Sequence, residues 1–327
     1  MNIVITDLKN GLERDLDFEL SLIKEKLPDA KVKVYENSGT KQELMNAVCD
    51  ADIIETALTM LDREILDAAT HLKCVCFNST GYNNIDLAYA KERKIAVIPV
   101  YEYCTEEVAN HAMALMLALL RNLKVYEKRI EEERRWNYKT KYPIHRISEM
   151  TLAIFGLGKI GQAVAGRAMA FGLKVIAYDP YLPPEMAEKL GVRLCELSEI
   201  WENADIISNH MLLTDENTGF FNKTIFQKCE RKPLFINVAR GGSVVEEDLV
   251  QALEEGWIRG AGLDVLAEEK PDLVHHALCG RENVILTPHA AFYSEEAYRS
   301  LQEKAVDNMV NFAIGRKEAY RSVTNWE

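Results

Sequence analysis

The sequence lacks the features that would place it in a membrane or outside the cell. Its first residues, Met1–Asp7, have no basic stretch and resemble a first β-strand rather than a signal peptide. The longest apolar run near the middle of the chain, Ala112–Leu120, is far shorter than the ~20 residues that span a bilayer. The seven cysteines are odd in number and irregularly spaced, which does not suit a disulfide framework. Reduced thiols are typical of the cytoplasm, so we expect a soluble cytoplasmic protein.

Positive charge is also scarce. There are 39 Lys and Arg residues against 51 Asp and Glu residues, which gives a formal net charge of −12. Such a chain repels phosphate backbones and anionic membranes, so we expect neither nucleic acid nor a membrane as a partner. A small acidic substrate would be repelled as well, and its site therefore needs a local cation.

What the sequence does contain is an alternation of short apolar, β-branched runs with helical stretches, and no repeat, low-complexity tract or flexible linker. Near-continuous apolar strands between helices indicate parallel sheets covered on both faces. Two such series in 327 residues predict an α/β protein with two doubly wound domains. The predicted strands are 3–6, 32–35, 53–56, 74–78, 96–100, 152–155, 174–178, 205–208, 234–238, 262–265 and 284–287.

Three other segments have individual predictions. We interpret Cys74 and Cys76 as lying on alternate faces of one strand, not as a redox or zinc pair. A connecting helix is expected from Thr105, as its N-cap, to about Leu120, and a final helix over 294–314. The charged and aromatic stretch Tyr126–Tyr142 is either a solvated helix end and loop or a subunit contact.

A glycine motif follows one of the predicted strands of the second series. Gly156, Gly158 and Gly161 stand after the strand that ends at Phe155 and open a helix over 162–170, the context of a dinucleotide-binding fingerprint. The helix N-terminus would bind the pyrophosphate. Asp179, which ends the next strand, would bind a ribose 2′-hydroxyl and repel a 2′-phosphate. Pro180 and Tyr181 follow it rather than an arginine, so NAD is predicted over NADP.

Four segments together resemble the D-isomer-specific 2-hydroxyacid dehydrogenases over nearly the whole chain. They are Gly156–Gly161 with Asp179, Asn237–Gly242, Leu263–Val265 leading to Glu269, and Thr287–Ala290, behind a first domain containing Thr80–Asp86. The resemblance implies a flavodoxin-like substrate domain formed by 1–101 and 291–327, and a Rossmann cofactor domain over 102–290. It also implies a homodimer formed through the cofactor domains.

Oxidation of a 2-hydroxy acid needs a hydride acceptor, a base for the hydroxyl proton and a cation for the carboxylate. NAD would be the acceptor. His289 is the predicted acid/base because it follows an apolar strand at the carboxyl edge of the sheet. Of the other six histidines, only His210 also follows a strand of the second series, and it is expected to border the cofactor rather than to exchange the proton. Arg240 is predicted to bind the carboxylate and polarise the 2-oxo group.

The family pairs a carboxylate with this histidine, and its spacing after Asp264 selects Glu269 over the adjacent Glu268. Here the chain departs from the family, because Lys270 stands between Glu269 and Pro271. Asp264 is expected either against the nicotinamide or as a buried structural carboxylate. The remaining expected cofactor contacts are Lys159, Ile160, Met211, Leu212, Asn217, Val238, Ala239, Arg240 and His289. No metal is expected.

The substrate is expected to contact the loop Ser79-Thr80-Gly81 through backbone N–H groups, together with Arg240. Tyr103 and Phe292 are either walls of its pocket or core aromatics.

The second hypothesis for the function is a corepressor of the C-terminal-binding type, which shares the fold and uses NAD(H) to control assembly. Formate is disfavoured as a substrate because its oxidation needs no acid/base, and phosphite is a minor alternative. The loop at Thr80 resembles glycerate and hydroxypyruvate enzymes, whereas His289–Tyr293 resembles D-lactate enzymes, so the particular 2-hydroxy acid stays open.

Overall fold

The structure, a computed structural model, describes residues 1–6, 15–35 and 40–325. The chain forms two compact units, one of Met1–Tyr103 with Ser294–Glu327 and the other of Cys104–Tyr293. The prediction that the first strand extends toward Asp7 lies partly outside the described residues, because Thr6 is the last described residue of that segment. Two α/β units built on parallel sheets confirm the predicted fold class.

The first unit is built on a five-stranded parallel sheet in the order β2-β1-β3-β4-β5. Its strands are β1 (Asn2–Ile5), β2 (Lys31–Val34), β3 (Ile53–Thr56), β4 (Cys74–Phe77) and β5 (Ala96–Ile98). The central strands β3 and β4 are buried at every position, as helices on both faces require, whereas the edge strand β2 alternates between exposed and half-buried residues.

Helices cover this sheet on both faces. They are α1 (Leu16–Lys26), α2 (Lys41–Val48), α3 (Arg63–Ala68) and α4 (Leu87–Glu92). The last helix of the chain, which we number α12 (Glu295–Ala313), belongs to the same unit and buries Val306 and Met309 in the core formed by β1, β3, β4 and β5. The predicted final helix is therefore present.

Cys74 and Cys76 lie on one strand as predicted, but the prediction that they lie on its alternate faces is wrong. Both thiols point to the same face of β4, into the core cluster that includes Ile3 and Ile5, with 3.5 Å between the two sulfur atoms. The physical reason is the period of two in a β-strand, which returns residues i and i+2 to one face. Both side chains are fully buried, and burial raises the pKa of the Cys74 thiol well above its ordinary value, so this thiol stays protonated at neutral pH.

The second unit is built on a seven-stranded parallel sheet in the order β12-β11-β10-β9-β6-β7-β8. Its strands are β6 (Thr151–Phe155), β7 (Lys174–Tyr178), β8 (Arg193–Leu194), β9 (Ile206–Asn209), β10 (Leu234–Asn237), β11 (Gly260–Leu263) and β12 (Val284–Leu286). The two-residue strand β8 is too short to give a period and was not predicted. The strand order reverses between β6 and β9, the kind of point at which doubly wound sheets bind ligands.

Its helices are α5 (Thr105–Leu120), α6 (Leu123–Glu131), α7 (Lys159–Ala170), α8 (Pro184–Lys189), α9 (Leu197–Asn203), α10 (Lys223–Phe226) and α11 (Glu246–Glu254). The range predicted for α5 is right, but its N-cap is Cys104 rather than Thr105, and no side-chain hydrogen bond caps it. No helix of the described residues is long and apolar enough to cross a membrane.

Candidate active site

The candidate site residues of the second unit all follow the carboxyl ends of its strands. Strand β10 ends at Asn237 and β11 at Leu263, one or two residues earlier than the sequence predicted. Arg240 and Asp264 consequently lie in the loops beyond the strands rather than at their ends. His289 likewise lies beyond β12. The predicted set is thus brought to one edge of one sheet, where loops can aim side chains at a ligand.

The glycine loop after β6 has the geometry of a phosphate-binding turn. Gly156 has φ +84°, and a Cβ there would lie 2.9 Å from the backbone of His210, so only glycine fits between these two loops. A Cβ on Gly161 would lie 2.2 Å from the Gly156 carbonyl oxygen. By contrast, a Cβ on Gly158 would meet nothing within 4 Å, which leaves open space in front of the loop.

The helix after this loop begins earlier than predicted. Helix α7 starts at Lys159 instead of residue 162, so Lys159, Ile160 and Gly161 form its first turn. The N-terminal end of an α-helix favours an anion, because the helix dipole is positive there. This end of α7, with the open space at Gly158, fits a dinucleotide pyrophosphate.

Asp179 is tied to the glycine loop by hydrogen bonds. Its carboxylate accepts from the N–H of Leu157 at 2.8 Å and from the N–H of Tyr181 at 3.0 Å. Each carboxylate oxygen therefore accepts one backbone hydrogen bond and can accept one more. The carboxylate is fixed beside the phosphate-binding turn, where a ribose diol would have to lie.

Three of the predicted cofactor contacts lie in the loop after β9. Leu212 is exposed, and Met211 is half-buried against the core of the unit. The Asn217 amide closes the loop itself, because it donates to Leu212 O at 2.7 Å and accepts from the N–H of Thr214 at 2.9 Å. Contacts of these side chains with a cofactor stay predictions.

The central finding is the pairing of His289 with Glu269. His289 Nδ1 lies 3.0 Å from Glu269 Oε1 and 2.9 Å from Oε2. The pair forms although Lys270 precedes Pro271, so the departure from the family pattern does not prevent it. The hydrogen bond from His289 holds the pKa of the Glu269 carboxyl below its ordinary value, and the nearby charge of Arg240 lowers it further. The carboxylate therefore persists at ordinary pH and is lost only on acidification.

His289 has a strained backbone that the loop enforces. Its φ of +52° lies in the left-handed region, which is uncommon for a residue with a side chain. Its N–H donates to the carbonyl oxygen of Asp264 at 2.8 Å. Strain of this kind costs about 1–3 kcal/mol and is retained where the surroundings fix a functional geometry.

Asp264 holds the loop that carries His289. Its side chain is fully buried, and its carboxylate accepts from the Thr287 hydroxyl at 2.6 Å and from the N–H groups of Ala290 and Ala291 at 2.9 Å. The buried structural alternative thus describes this side chain, and its contact with the nicotinamide stays a prediction. His111, which sequence reasoning set aside, hydrogen-bonds Thr287 Oγ1 at 2.9 Å.

The backbone of Arg240 is fixed by a buried network of side-chain hydrogen bonds that the sequence analysis missed. Its carbonyl oxygen accepts from Asn237 Nδ2 at 3.1 Å and from Ser243 Oγ at 2.8 Å. Asn209 donates to the Asn237 side chain at 3.1 Å and to Ser243 Oγ at 2.9 Å. The signal available in the sequence was an asparagine at the end of two neighbouring strands, β9 and β10.

The remaining cofactor and substrate positions fall into two groups. Val238 is buried and Ala239 half-buried in the β10 loop, and Phe292 makes an edge-to-face contact with His289 at a centroid separation of 6.3 Å. The other four belong to the first unit: Ser79, Thr80, Gly81 and Tyr103.

In the first unit, the Ser79 hydroxyl donates to Gly81 O at 2.7 Å and the Thr80 hydroxyl donates to Val100 O at 2.9 Å. These bonds fix the loop after β4. Tyr103 packs against the core cluster that contains Val100 and Leu301, which agrees with the core-aromatic alternative.

His210 behaves differently from the acid/base candidate. Burial lowers its pKa from 6.5 to about 4, and its Nδ1 atom has no hydrogen-bond partner among the described residues. Its Nε2 atom lies 2.8 Å from Ser208 Oγ. The ring is therefore neutral at physiological pH and does not suit proton exchange there.

We expect this histidine to make the protein sensitive to acid. Its folded pKa is below the unfolded value, so the unfolded chain binds the extra proton and stability falls as pH drops from about 6.5 to 4. The loss reaches up to about 3 kcal/mol, from 1.36 kcal/mol for each pKa unit. Urea unfolding of wild type and His210→Asn at several pH values measures it, and an equal slope in both proteins would contradict the assignment.

The parallel sheet with its glycine loop and Asp179, together with the His289–Glu269 pair, is the arrangement of a nicotinamide-dinucleotide oxidoreductase. The sequence matches the family model for the NAD-binding domain of D-isomer-specific 2-hydroxyacid dehydrogenases over residues 113–291. It is 35% identical to a hydroxypyruvate reductase of Blautia hydrogenotrophica over 289 residues, 86% of this chain and 89% of that protein. It is 34% identical to a glyoxylate reductase of Korarchaeum cryptofilum over 303 residues, 91% and 87% of the two chains.

Among solved structures, D-lactate dehydrogenase from Aquifex aeolicus, complexed with NAD and lactic acid, superimposes with a TM-score of 0.87. The match has 29% identity and covers 97% of each chain. The chain belongs to the D-isomer-specific 2-hydroxyacid dehydrogenases. The prediction of an NAD-dependent oxidoreductase is confirmed, and the dehydrogenase is favoured over the corepressor alternative.

Proposed function

We propose that the protein reduces a small 2-oxo acid to the D-2-hydroxy acid with NADH, and that Arg240, Glu269 and His289 are its catalytic group. The observation that carries this proposal is the contact of His289 Nδ1 with both oxygens of Glu269 at 2.9–3.0 Å. The first unit is proposed as the substrate domain and the second as the cofactor domain.

Each residue of the proposed catalytic group in the second unit has one chemical role. The bound cofactor supplies the hydride. Arg240 holds the substrate carboxylate with its planar fork and polarises the neighbouring carbonyl. Because Nδ1 of His289 is engaged by Glu269, Nε2 is the nitrogen that donates a proton to the 2-oxo oxygen in reduction and removes it in oxidation. Glu269 fixes the tautomer and orientation of the ring.

For the substrate we propose a 2-oxo acid of two or three carbons. The relatives named above act on hydroxypyruvate and glyoxylate, and the solved neighbour binds lactic acid. Pocket preference between a methyl and a hydroxymethyl group turns on only ~1–3 kcal/mol, so all three belong in one assay.

The test is NADH oxidation at 340 nm with glyoxylate, hydroxypyruvate, pyruvate, phenylpyruvate and 2-oxoisocaproate, each repeated with NADPH. We expect turnover of the two- and three-carbon acids with NADH and a strong preference over NADPH, because Asp179 repels a 2′-phosphate. Intact NADH binding without turnover of any acid would contradict the proposal and favour an NAD-sensing binding protein.

We also propose that the chain is a cytoplasmic homodimer that uses the stretch Tyr126–Tyr142. This stretch exposes 91% of Trp136 and 79% of Tyr138, two aromatic side chains that are costly to leave in water. Its backbone is nevertheless ordered by hydrogen bonds, because Asn122 donates to Thr140 and to the Tyr142 carbonyl oxygen at 2.9 Å each. Light scattering of the purified chain tests the proposal, and a monomer mass at micromolar concentration would contradict it.

A further inference from the structure

The loop that carries Glu269 is fixed mainly at its two ends. It runs from residue 267 to residue 276, and between these ends Leu273 and Val274 are 58% and 85% exposed. The Glu269 side chain itself is 59% exposed. Packing of the loop's own side chains therefore does little to determine where Glu269 stands, and its position depends on the anchors of the loop.

Both anchors involve the same carboxylate, Glu246, the first residue of helix α11. Glu246 Oε1 accepts from the N–H of Ala267 at 2.5 Å, two residues before Glu269. Glu246 Oε2 lies 3.3 Å from His276 Nε2 at the other end of the loop. The two side chains of this second contact are only 24% and 15% exposed, so the interaction is screened less than a surface ion pair.

The first anchor also lies against the Arg240 loop. A Cβ on Gly241 would lie 1.8 Å from Leu266 O and 2.6 Å from Ala267 N, so only glycine permits this close approach. The second anchor is continuous with the core, because the His276 carbonyl oxygen accepts from the N–H of Cys279 and Leu278 is 1% exposed. One carboxylate thus joins both ends of the Glu269 loop beside the loop that carries Arg240.

We infer that Glu246 is a positioning residue: by joining Ala267 to His276, it fixes the loop that presents Glu269 to His289. The inference rests on the proposed function for its kinetic consequence, but the geometry it describes does not depend on turnover. Glu246 touches none of the reacting groups. Its effect reaches the reaction only through the Glu269–His289 contact.

The test compares Glu246→Ala with Glu247→Ala. Glu247 is the exposed next residue of the same helical turn, so its replacement matches the change in charge and in helix propensity. We expect Glu246→Ala to lower kcat by about 10–100-fold, because a catalytic group displaced by about 1 Å can cost 10²-fold. NADH affinity should stay within twofold of wild type in both variants, and Glu247→Ala should keep full kcat.

A second readout is independent of activity. The pKa of the Glu269 carboxyl, followed by ¹³C NMR in glutamate-labelled protein and assigned with Glu269→Gln, is held low by His289. In Glu246→Ala it should rise toward its ordinary value, whereas Glu247→Ala should leave it unchanged. Glu246→Gln, which keeps an acceptor for Ala267 but loses the charge opposite His276, should give a smaller change in both measurements, and it replaces the alanine variant if that one does not fold.

The outcomes separate the two proposals. A wild-type protein that reduces no 2-oxo acid contradicts the proposed function, while the NMR titration still tests the role of Glu246. If Glu246→Ala only lowers the melting temperature, with the pKa of Glu269 unchanged, Glu246 is merely structural and the inference is overturned.

Discussion

We expect His289→Asn to lower kcat by about 10³-fold and to leave the dissociation constant of NADH within about twofold of wild type. A positioned acid/base contributes 10²–10⁴-fold, and asparagine cannot exchange a proton near neutral pH. Asparagine is the replacement of choice because it tolerates the left-handed backbone at this position, where φ is +52°. Stopped-flow single-turnover kinetics and NADH fluorescence measure the two quantities.

The matched control is His71→Asn, an exposed histidine of the first unit, which should keep full turnover. If His289→Asn also loses NADH binding, the histidine has a structural role and the loss of turnover says nothing about proton transfer. If kcat falls less than tenfold, another group exchanges the proton and the assignment of His289 is wrong.

Arg240→Lys is expected to reduce kcat/KM for a 2-oxo acid by about two to three orders of magnitude, or about 3–4 kcal/mol at 1.4 kcal/mol for each decade. Lysine keeps the charge but loses the planar pair of donors that matches a carboxylate. The loss should be much smaller for the uncharged amide of the same acid, because this substrate offers no carboxylate to the fork.

Steady-state kinetics on the acid and its amide make this comparison. Arg231→Lys is the control, since the Arg231 side chain is 48% exposed and its guanidinium pairs with Asp205 at the opposite end of the sheet. An equal loss for acid and amide would show that Arg240 does not bind the carboxylate.

The chemistry-bearing residues of the second unit could be predicted because strand order and motif spacing determine where they lie. An apolar run followed by Arg240 or His289 indicates a parallel strand and the loop beyond its carboxyl end, and parallel strands bring such loops to one edge. The ends of strands were predicted one or two residues off, as at Asn237, because they are set by hydrogen bonding that composition does not record. These differences changed no residue assignment.

The supporting residues could not be predicted in the same way. Glu246, Asn209 and His111 act through contacts with residues more than 20 positions away, or on neighbouring strands, and nothing in their local sequence indicates those partners. The error at Cys74 and Cys76 was of another kind, since the period of a strand was sufficient to place both on one face. Substrate choice depends on small differences in side-chain volume, and a motif does not encode these.

The two units also differ in whether one continuous segment of the chain forms them. The second unit is one continuous segment, Cys104–Tyr293, whereas the first is completed only by helix α12, whose Val306 and Met309 are fully buried among the strands. During synthesis from the N-terminus, the unit with Arg240, Glu269 and His289 is therefore complete before the first unit acquires its last core residues. Until α12 is synthesised, the core of the first unit lacks Val306 and Met309, whereas the segment that forms the second unit is already complete.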